Sequence, residues 1–172
     1  MNSQQKDDIF RIVYAACLAS ETKEGSCIFA AGLASKIITN LGSRCIIQAG
    51  TACWPRIYAY QDDGVSSTHF SYVWEHSMTT MNRIKQGLLP EMHAWCAIPE
   101  TNEIIDMTTC FAAVQCKKTI GAEWPGPVLP PYIWATPEKL PDGVIYKPYA
   151  TATAIAMKHV STLDLDVMLV GK

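Results

Sequence analysis

The chain has 172 residues, of which 49% are apolar and 17% are charged, and its formal net charge is −2. This composition excludes a chain that is disordered throughout, because disorder requires few apolar and many charged residues. The slight acidic excess offers no basic surface for a phosphate backbone, which argues against nucleic-acid binding. We expect one globular domain over residues 1–172, since this length suffices for a single core.

The targeting and redox features of the sequence predict a cytoplasmic protein without membrane contact. Apolar runs stay well below the roughly 18 residues that a membrane-spanning helix needs. The N-terminal sequence MNSQQKDDIF has neither the basic nor the apolar region of a signal peptide. Seven cysteines, an odd number, favour free thiols in a reducing compartment over a disulfide framework.

Two helices are predicted at the N-terminal end of the chain. Apolar residues recur at helical spacing from Asp7 to Ser20, and again from about Cys27 to Leu41. Ser26 is placed to cap the second helix and Gly42 to end it. A polar connector over residues 21–25 joins the two helices.

The middle of the chain is rich in β-forming residues. Arg44 to Gly50 predicts a strand that ends at the glycine, Tyr58 to Tyr60 a second, and Thr68 to Trp74 a third. The sequence Asp62-Asp63-Gly64 is a turn signal between the last two. The stretch from Ser77 to Leu89 is compatible with either a short helix or a loop.

A β-hairpin is predicted next, with strands at Met92–Ile98 and Glu103–Met107 and a turn at Pro99–Asn102. A four-residue loop places Asp106 diagonal to His93 on one face of the hairpin. A loop displaced by one residue places them directly opposite each other. In either register the carboxylate reaches the imidazole, because both kinds of cross-strand pair are within side-chain contact.

The last third of the chain is rich in proline and aromatic residues. Seven of the ten prolines lie between Pro125 and Pro148, which argues against a central strand there. We expect an ordered segment over about residues 124–149 that either completes the core or rims a peptide-binding cleft. The stretch Thr153–Lys172 is apolar enough to pack, but its pattern does not distinguish helix from strand.

Three residues in sequence order have the chemistry of covalent acyl transfer. Cys27 opens the second helix, where the positive end of the helix dipole favours thiolate over thiol. His93 and Asp106 lie on the two strands of the hairpin. A thiolate, a base and a carboxylate that orients the base are the parts of such a catalyst. We therefore predict a triad of Cys27, His93 and Asp106.

These residues and their context resemble the transglutaminase-like superfamily over about residues 25–106. The matching features are Gly25-Ser26-Cys27 at a helix start, Leu41-Gly42 at its end, a strand ending in Gly50, the strand with His93-Ala94-Trp95, and the hairpin residue Asp106. The resemblance implies that Cys27, His93 and Asp106 are catalytic. It also implies a papain-like α+β core, in which the cysteine-bearing helix packs on an antiparallel sheet that carries the other two residues.

The implied reaction is cleavage or transfer at an amide or peptide bond, with a peptide or protein as substrate. Water as acceptor gives a cysteine peptidase or amidase, and an amine gives a transglutaminase-type transferase. Hydrolysis is favoured because water needs no second binding site. The backbone N–H of Cys27 is the expected oxyanion donor, with the side chains of Gln48 and Trp54 as further candidates. The alternative is a non-catalytic binding or structural protein on the same core.

The same residue types could instead bind zinc through His93, Cys96, Cys110 and Cys116. Residues three apart on a strand point to opposite faces, however, so His93 and Cys96 should diverge. The zinc deaminase signature is absent, since Trp95 stands where its glutamate would be. The sequence also lacks the G-x-S-x-G, Walker and G-x-G-x-x-G motifs. We therefore expect no bound metal and no cofactor.

Overall fold

A computed structural model describes residues 1–20, 26–61 and 64–165, with side chains described outside residues 57–67. The helices are α1 (Ser3–Ala19), α2 (Ser26–Asn40), α3 (Met78–Lys85), α4 (Ala112–Ile120) and α5 (Ala150–Val160). The strands are β1 (Ile46–Gln61), β2 (Gly64–Tyr72), β3 (His93–Ile98), β4 (Glu103–Asp106), β5 (Ile133–Ala135) and β6 (Ile145–Pro148). They form a curled antiparallel sheet, which confirms the predicted α+β class.

Both N-terminal helices are present, with ends set by local capping. α1 begins at Ser3, before the predicted Asp7, because Asn2 and Gln5 form a reciprocal capping box with hydrogen bonds of 2.9 and 3.0 Å. α2 lies within one residue of its predicted bounds. Gly42 follows it with φ of +87°, the left-handed conformation in which glycine ends a helix. The predicted connector over residues 21–25 lies outside the described residues.

Strand β1 is longer than the sequence predicted. It does not end at Gly50 but continues to Gln61, so that Tyr58–Tyr60 belongs to it and is not a separate strand. The register with β2 shifts between Pro55 and Ile57. A bulge of this kind accommodates a proline without ending the strand, so the chain remains in the sheet beyond Gly50, where the sequence predicted the strand to end.

Strand β1 organises the sheet, because β3 and β2 pair with successive stretches of it and β6 pairs with its middle. β2 ends at Tyr72, before the predicted Trp74, and the aspartates of the predicted turn at Asp62-Asp63-Gly64 lie outside the described residues. Between β2 and β3 the chain leaves the sheet over residues 73–92, here named the excursion. Its ambiguous stretch forms helix α3, which begins after Ser77 caps the backbone N–H of Thr80.

The predicted hairpin is present as β3 and β4. Ile98 pairs with Glu103, so Pro99–Asn102 forms a four-residue loop and the displaced register is wrong. This register places Asp106 diagonal to His93. The two side chains that the sequence singled out therefore share one face of the sheet.

The C-terminal third completes the sheet and the core. β5 is the outermost strand beside β4, a position that tolerates neighbouring prolines. The segment predicted at Thr153–Lys172 is helical as far as Val160, within α5, and residues 166–172 lie outside the described part. Helix α4, which no sequence pattern singled out, follows β4 directly after a short 3-10 turn at Thr109–Phe111.

Helix α2 packs on one face of the sheet, where the thiol of Cys96 donates a hydrogen bond of 3.0 Å to the carbonyl of Ala31. A second apolar cluster contains Ala52, Trp54, Phe70, Cys116, Ile133 and Val144. Helix α2 is thus anchored with its first turn beside the start of β3. Within the described residues, no helix has both the length and the apolar character of a membrane span.

Gly50 provides a test of this sheet arrangement. It pairs with both His93 and Pro148, and an added Cβ would collide with the backbone oxygen of Lys147. We expect Gly50→Ala to lower the free energy of unfolding, measured by urea denaturation, by about 3 kcal/mol.

Gly121→Ala is the matched control. Gly121 has φ of +67° and open space around its Cα, so the substitution should cost only the left-handed strain of about 1 kcal/mol. Equal losses in the two variants would contradict the close approach of β6 to β1 at Gly50.

Candidate active site

Cys27 and His93 line one cavity of about 360 Å³, and Asp106 lies directly behind His93. Cys27 is the second residue of α2 and is half-buried. His93 is the first residue of β3, and Asp106 is the last of β4. The structure thus brings the three predicted residues together at the junction of a helix N-terminus and the hairpin.

His93 and Asp106 form a buried pair. The distance between His93 Nε2 and Asp106 Oδ2 is 2.9 Å, and the two residues are only 3% and 1% exposed. The imidazole is also fixed by two aromatic rings. Trp54 meets it edge-on with centroids 4.9 Å apart, and Tyr72 stacks on it at 5.7 Å. The ring therefore has little freedom to turn away from the carboxylate.

Asp106 accepts four hydrogen bonds, which is the full capacity of a carboxylate. Oδ1 accepts from the backbone N–H and the hydroxyl of Thr108, at 2.9 and 2.7 Å. Oδ2 accepts from His93 and from the hydroxyl of Tyr146, at 2.9 and 2.7 Å. Burial acts to raise the pKa of Asp106, but the charge of His93 and these hydrogen bonds outweigh it and lower the pKa. Asp106 is therefore an anion at neutral pH.

The anion in turn keeps His93 protonated. Burial lowers the pKa of His93, but the charge and hydrogen bond of Asp106, together with the nearby Cys27, outweigh it and raise the pKa above its usual value. An imidazolium has an N–H on both nitrogens, and Nδ1 is buried with no hydrogen-bond partner in the described part of the chain. A thiolate at Cys27 would supply the missing negative partner for that N–H.

The cavity is walled by segments far apart in sequence. Its lining comprises Ser26, Cys27 and Ile28 of α2, Trp54, Phe70 and Tyr72 of β1 and β2, residues of the excursion, and residues of α4 with the turn before it. Burial and the nearby charge of Cys27 raise the pKa of Tyr72 to about 12. Its hydroxyl consequently stays protonated at neutral pH and can donate a hydrogen bond within the cavity.

The structure argues against Gln48 and Trp54, the two side chains that the sequence offered as oxyanion donors. Gln48 lies outside the residues that line the cavity, and its carbonyl oxygen accepts a 3.0 Å hydrogen bond from the indole of Trp95. Trp54 lines the cavity, but its one N–H donates to Tyr146 at 3.2 Å. Among the donors weighed from the sequence, this leaves the backbone N–H of Cys27. Trp95 itself is 1% exposed and packs in the interior.

Tyr146 is the functional neighbour that sequence reasoning missed. It belongs to β6, within the proline-rich segment, and the pairing of Ala52 with Tyr146 positions it beside Trp54 and Asp106. No motif indicates such a contact, since it depends on the pairing of segments about 90 residues apart, as the Trp54–Tyr146 hydrogen bond shows. The segment over residues 124–149 does not contribute to the lining of the Cys27 cavity, so its role here is to complete the core and the site.

The cysteines considered as zinc ligands do not gather around His93. Cys96 diverges from His93, as the strand period predicted, and packs against α2, while Cys116 lies in the second apolar cluster. In the described ranges, no group of three or more His, Cys, Asp or Glu residues has a metal-binding arrangement. The expectation that the protein binds no zinc stays a prediction.

Comparison of the chain with protein-family models, with curated proteins and with solved structures finds no match in any of the three. The transglutaminase-like resemblance therefore rests on the residues and the geometry described above. It remains a hypothesis about this chain.

The hydroxyl of Tyr146 can be tested through the proton affinity of His93. Without this donor, one fewer hydrogen bond stabilises the Asp106 anion, so the anion attracts the imidazolium more strongly. Loss of the proton from His93 then becomes less favourable. We therefore expect Tyr146→Phe to raise the pKa of His93, measured by NMR titration of the histidine ring.

Tyr149→Phe is the matched control, because Tyr149 lies in the same part of the chain but contacts Lys147 and Gly50. It should leave the titration of His93 unchanged. An unaltered or lowered pKa in Tyr146→Phe would mean that this hydroxyl does not moderate the charge of Asp106.

Proposed function

We propose that the protein is a thiol-dependent enzyme with a papain-like, transglutaminase-like core, which acts on an amide or peptide bond through an acyl-enzyme at Cys27. One observation carries the proposal. The buried His93–Asp106 pair leaves His93 Nδ1 without a hydrogen-bond partner among the described residues, beside a cysteine in the first turn of a helix. A purely structural pair would not need an unsatisfied buried nitrogen at a cavity wall.

The first half of the reaction uses the thiolate–imidazolium pair. The thiolate of Cys27 attacks the carbonyl carbon, and the electron pair of the carbonyl moves to its oxygen. We assign the backbone N–H of Cys27 and the hydroxyl of Tyr72, both at the cavity, as donors to this oxyanion. His93 then gives its proton to the leaving amine, the C–N bond breaks, and a thioester to Cys27 remains.

The second half returns the enzyme to its starting state. Neutral His93 takes a proton from water, the resulting hydroxide attacks the thioester, and the C–S bond breaks to give a carboxylic acid and the thiolate. Asp106 stays ionised throughout and stabilises the imidazolium that forms. Water is the favoured acceptor because it needs no second binding site, whereas an amine acceptor would give a transferase.

The surroundings of the site support a peptide or protein substrate in a reducing, cytoplasmic compartment. All seven cysteines are free thiols, which supports a reducing compartment, and such a compartment protects a thiolate nucleophile from oxidation. The net charge of −2 supports the expectation that nucleic acid is not a partner. The competing proposal, a non-catalytic protein on the same core, would have an inert Cys27.

The dependence of Cys27 on its partners can be measured by alkylation with iodoacetamide over a range of pH, with the labelled residue identified by mass spectrometry. In Asp106→Asn and in His93→Ala, we expect alkylation of Cys27 near neutral pH to be slower than in the parent protein. The reason is that each variant weakens or removes the imidazolium that stabilises the thiolate.

The helix dipole remains in both variants, so some activation of Cys27 should persist. Cys27→Ser identifies the labelling that belongs to other thiols, and circular dichroism verifies folding. Three superimposable profiles for the parent protein and the two variants would show that Cys27 acts without His93 and Asp106.

The acyl-enzyme can be sought directly with p-nitrophenyl acetate, which acylates activated thiols. We expect a burst of nitrophenol, with the added mass of an acetyl group at Cys27 and a slower release of acetate. The burst should be lost in Cys27→Ser and strongly reduced in His93→Ala. Adding a primary amine separates the two reactions, because only a transferase would yield the acetylated amine at the expense of acetate. Absence of acylation in the folded parent protein would favour the binding-protein alternative.

A further inference from the structure

Two cationic side chains line the cavity that contains Cys27. Arg83 lies on α3 in the excursion, and Lys118 lies on α4. Arg83 Nε donates a 2.9 Å hydrogen bond to the carbonyl of Leu89, which leaves its two terminal nitrogens for other partners. Among the ion pairs between described residues, neither Arg83 nor Lys118 takes part.

The neighbouring residue Lys117 shows the contrast. It forms a 2.8 Å ion pair with Glu123 and is not among the residues that line the cavity. Adjacent lysines of one helix therefore differ in their surroundings, since Lys117 has an acidic partner on the protein and Lys118 faces the cavity without one in the described ranges. This difference supplies a matched control for any effect of charge.

The remaining charged groups of the described lining form no ion pair with the two cations. Among the described lining residues, Glu91 is the one carboxylate, and it accepts a 3.2 Å hydrogen bond from the backbone N–H of Val73, which ties together the two ends of the excursion. His93 is balanced by Asp106 behind it. The other ionisable groups of the described lining are Cys27, whose proposed thiolate faces the imidazolium of His93, and the hydroxyl of Tyr72. Arg83 and Lys118 therefore carry positive charges that pair with no carboxylate among the described residues.

The rest of the described lining is mostly apolar, with the aromatic rings of Trp54, Phe70, Tyr72 and Phe111, and it includes a minority of uncharged polar side chains such as Gln115 and Thr119. Such walls exclude water and strengthen the attraction between a cation and an anion. A ligand that fits both features has an apolar body and an anionic end. Carboxylates suit both partners, because guanidinium and ammonium groups bind them with charge-assisted hydrogen bonds.

We propose that the cavity is a binding site for an acyl group that bears a carboxylate, held by Lys118 and Arg83 while its carbonyl carbon lies at Cys27. This inference rests on the proposed function and names its substrate class. The apolar body of the acyl group lies against Tyr72 and Phe70. An acidic peptide side chain, or a peptide that ends in a free carboxylate near the scissile bond, has this chemistry.

Two thiol probes of equal shape test the inference, since neither depends on knowing the substrate. The probe 3-maleimidopropionate carries a carboxylate where N-propylmaleimide carries a methyl group, and both form one C–S bond by addition of the thiolate. The ratio of their rates at Cys27 is measured by mass spectrometry and divided by the same ratio for a small neutral thiol. We expect this normalised ratio to favour the anionic probe by about fivefold at low salt and to decline with added salt.

Substitutions of Lys118 and Arg83 test whether these two residues cause the preference for the anionic probe. Lys118→Gln should remove most of the preference, whereas Lys117→Gln should retain it. Arg83→Lys keeps a positive charge and should preserve part of the preference, and Arg83→Met should lose more of it. The imidazolium of His93 contributes equally in all these proteins, so it cannot produce the difference between the two lysine variants.

The outcomes separate this inference from the proposed function. If Cys27 reacts with both probes and the normalised ratio is near one, or if Lys117→Gln and Lys118→Gln change it equally, the anionic substrate class is wrong and the thiol mechanism stands. If Cys27 in the folded parent protein is inert toward both probes, the thiol mechanism fails and the substrate class fails with it.

Discussion

The buried pair of His93 and Asp106 is the interaction on which the candidate site depends. Burying an unpaired carboxylate or imidazolium costs several kcal/mol, so this pair requires hydrogen bonds at every acceptor position. Thr108 and Tyr146 supply those that His93 does not. Because the carboxylate is fully satisfied, its charge remains in place, and the charge keeps the imidazole protonated toward the cavity.

The donors to Asp106 come from separate parts of the fold, which ties the chemistry to the global architecture. Thr108 follows β4 directly and is a local donor. Tyr146 depends on the pairing of β6 with β1, and that pairing requires Gly50, where a side chain would meet the backbone of Lys147. The glycine that resembled the end of a strand is thus the point where β1 admits neighbours on both sides. Its physical role differs from the one that the sequence suggested.

The parts that the sequence predicted are those fixed by local rules. The apolar spacing predicts α2, and the glycine after it predicts where the helix ends. The four-residue loop predicts the hairpin. Each of these signals comes from residues within one element or directly beside it. They place Cys27, His93 and Asp106 in order. The length of β1 could not be predicted, because a bulge after Pro55 lets the strand continue past a residue that usually ends strands. The positions of Tyr146 and the lining residue Lys118 in the site could not be predicted either, since nothing near them in sequence shows which residues they face.

This division follows from how the site is assembled. The proposed nucleophile and its base belong to a helix start and a hairpin, both of which carry local signals. In the proposed enzyme, access and selectivity belong to the excursion and to α4, which both line the cavity. Among the described residues that line the cavity, His93 and Thr108 are the two that donate hydrogen bonds to the carboxylate of Asp106. Substitutions at the other wall residues can therefore change the charge of the cavity while the buried pair stays intact. Under the proposed function, the same core therefore keeps its chemistry while α3, α4 and the residues that join them to the sheet set the substrate class.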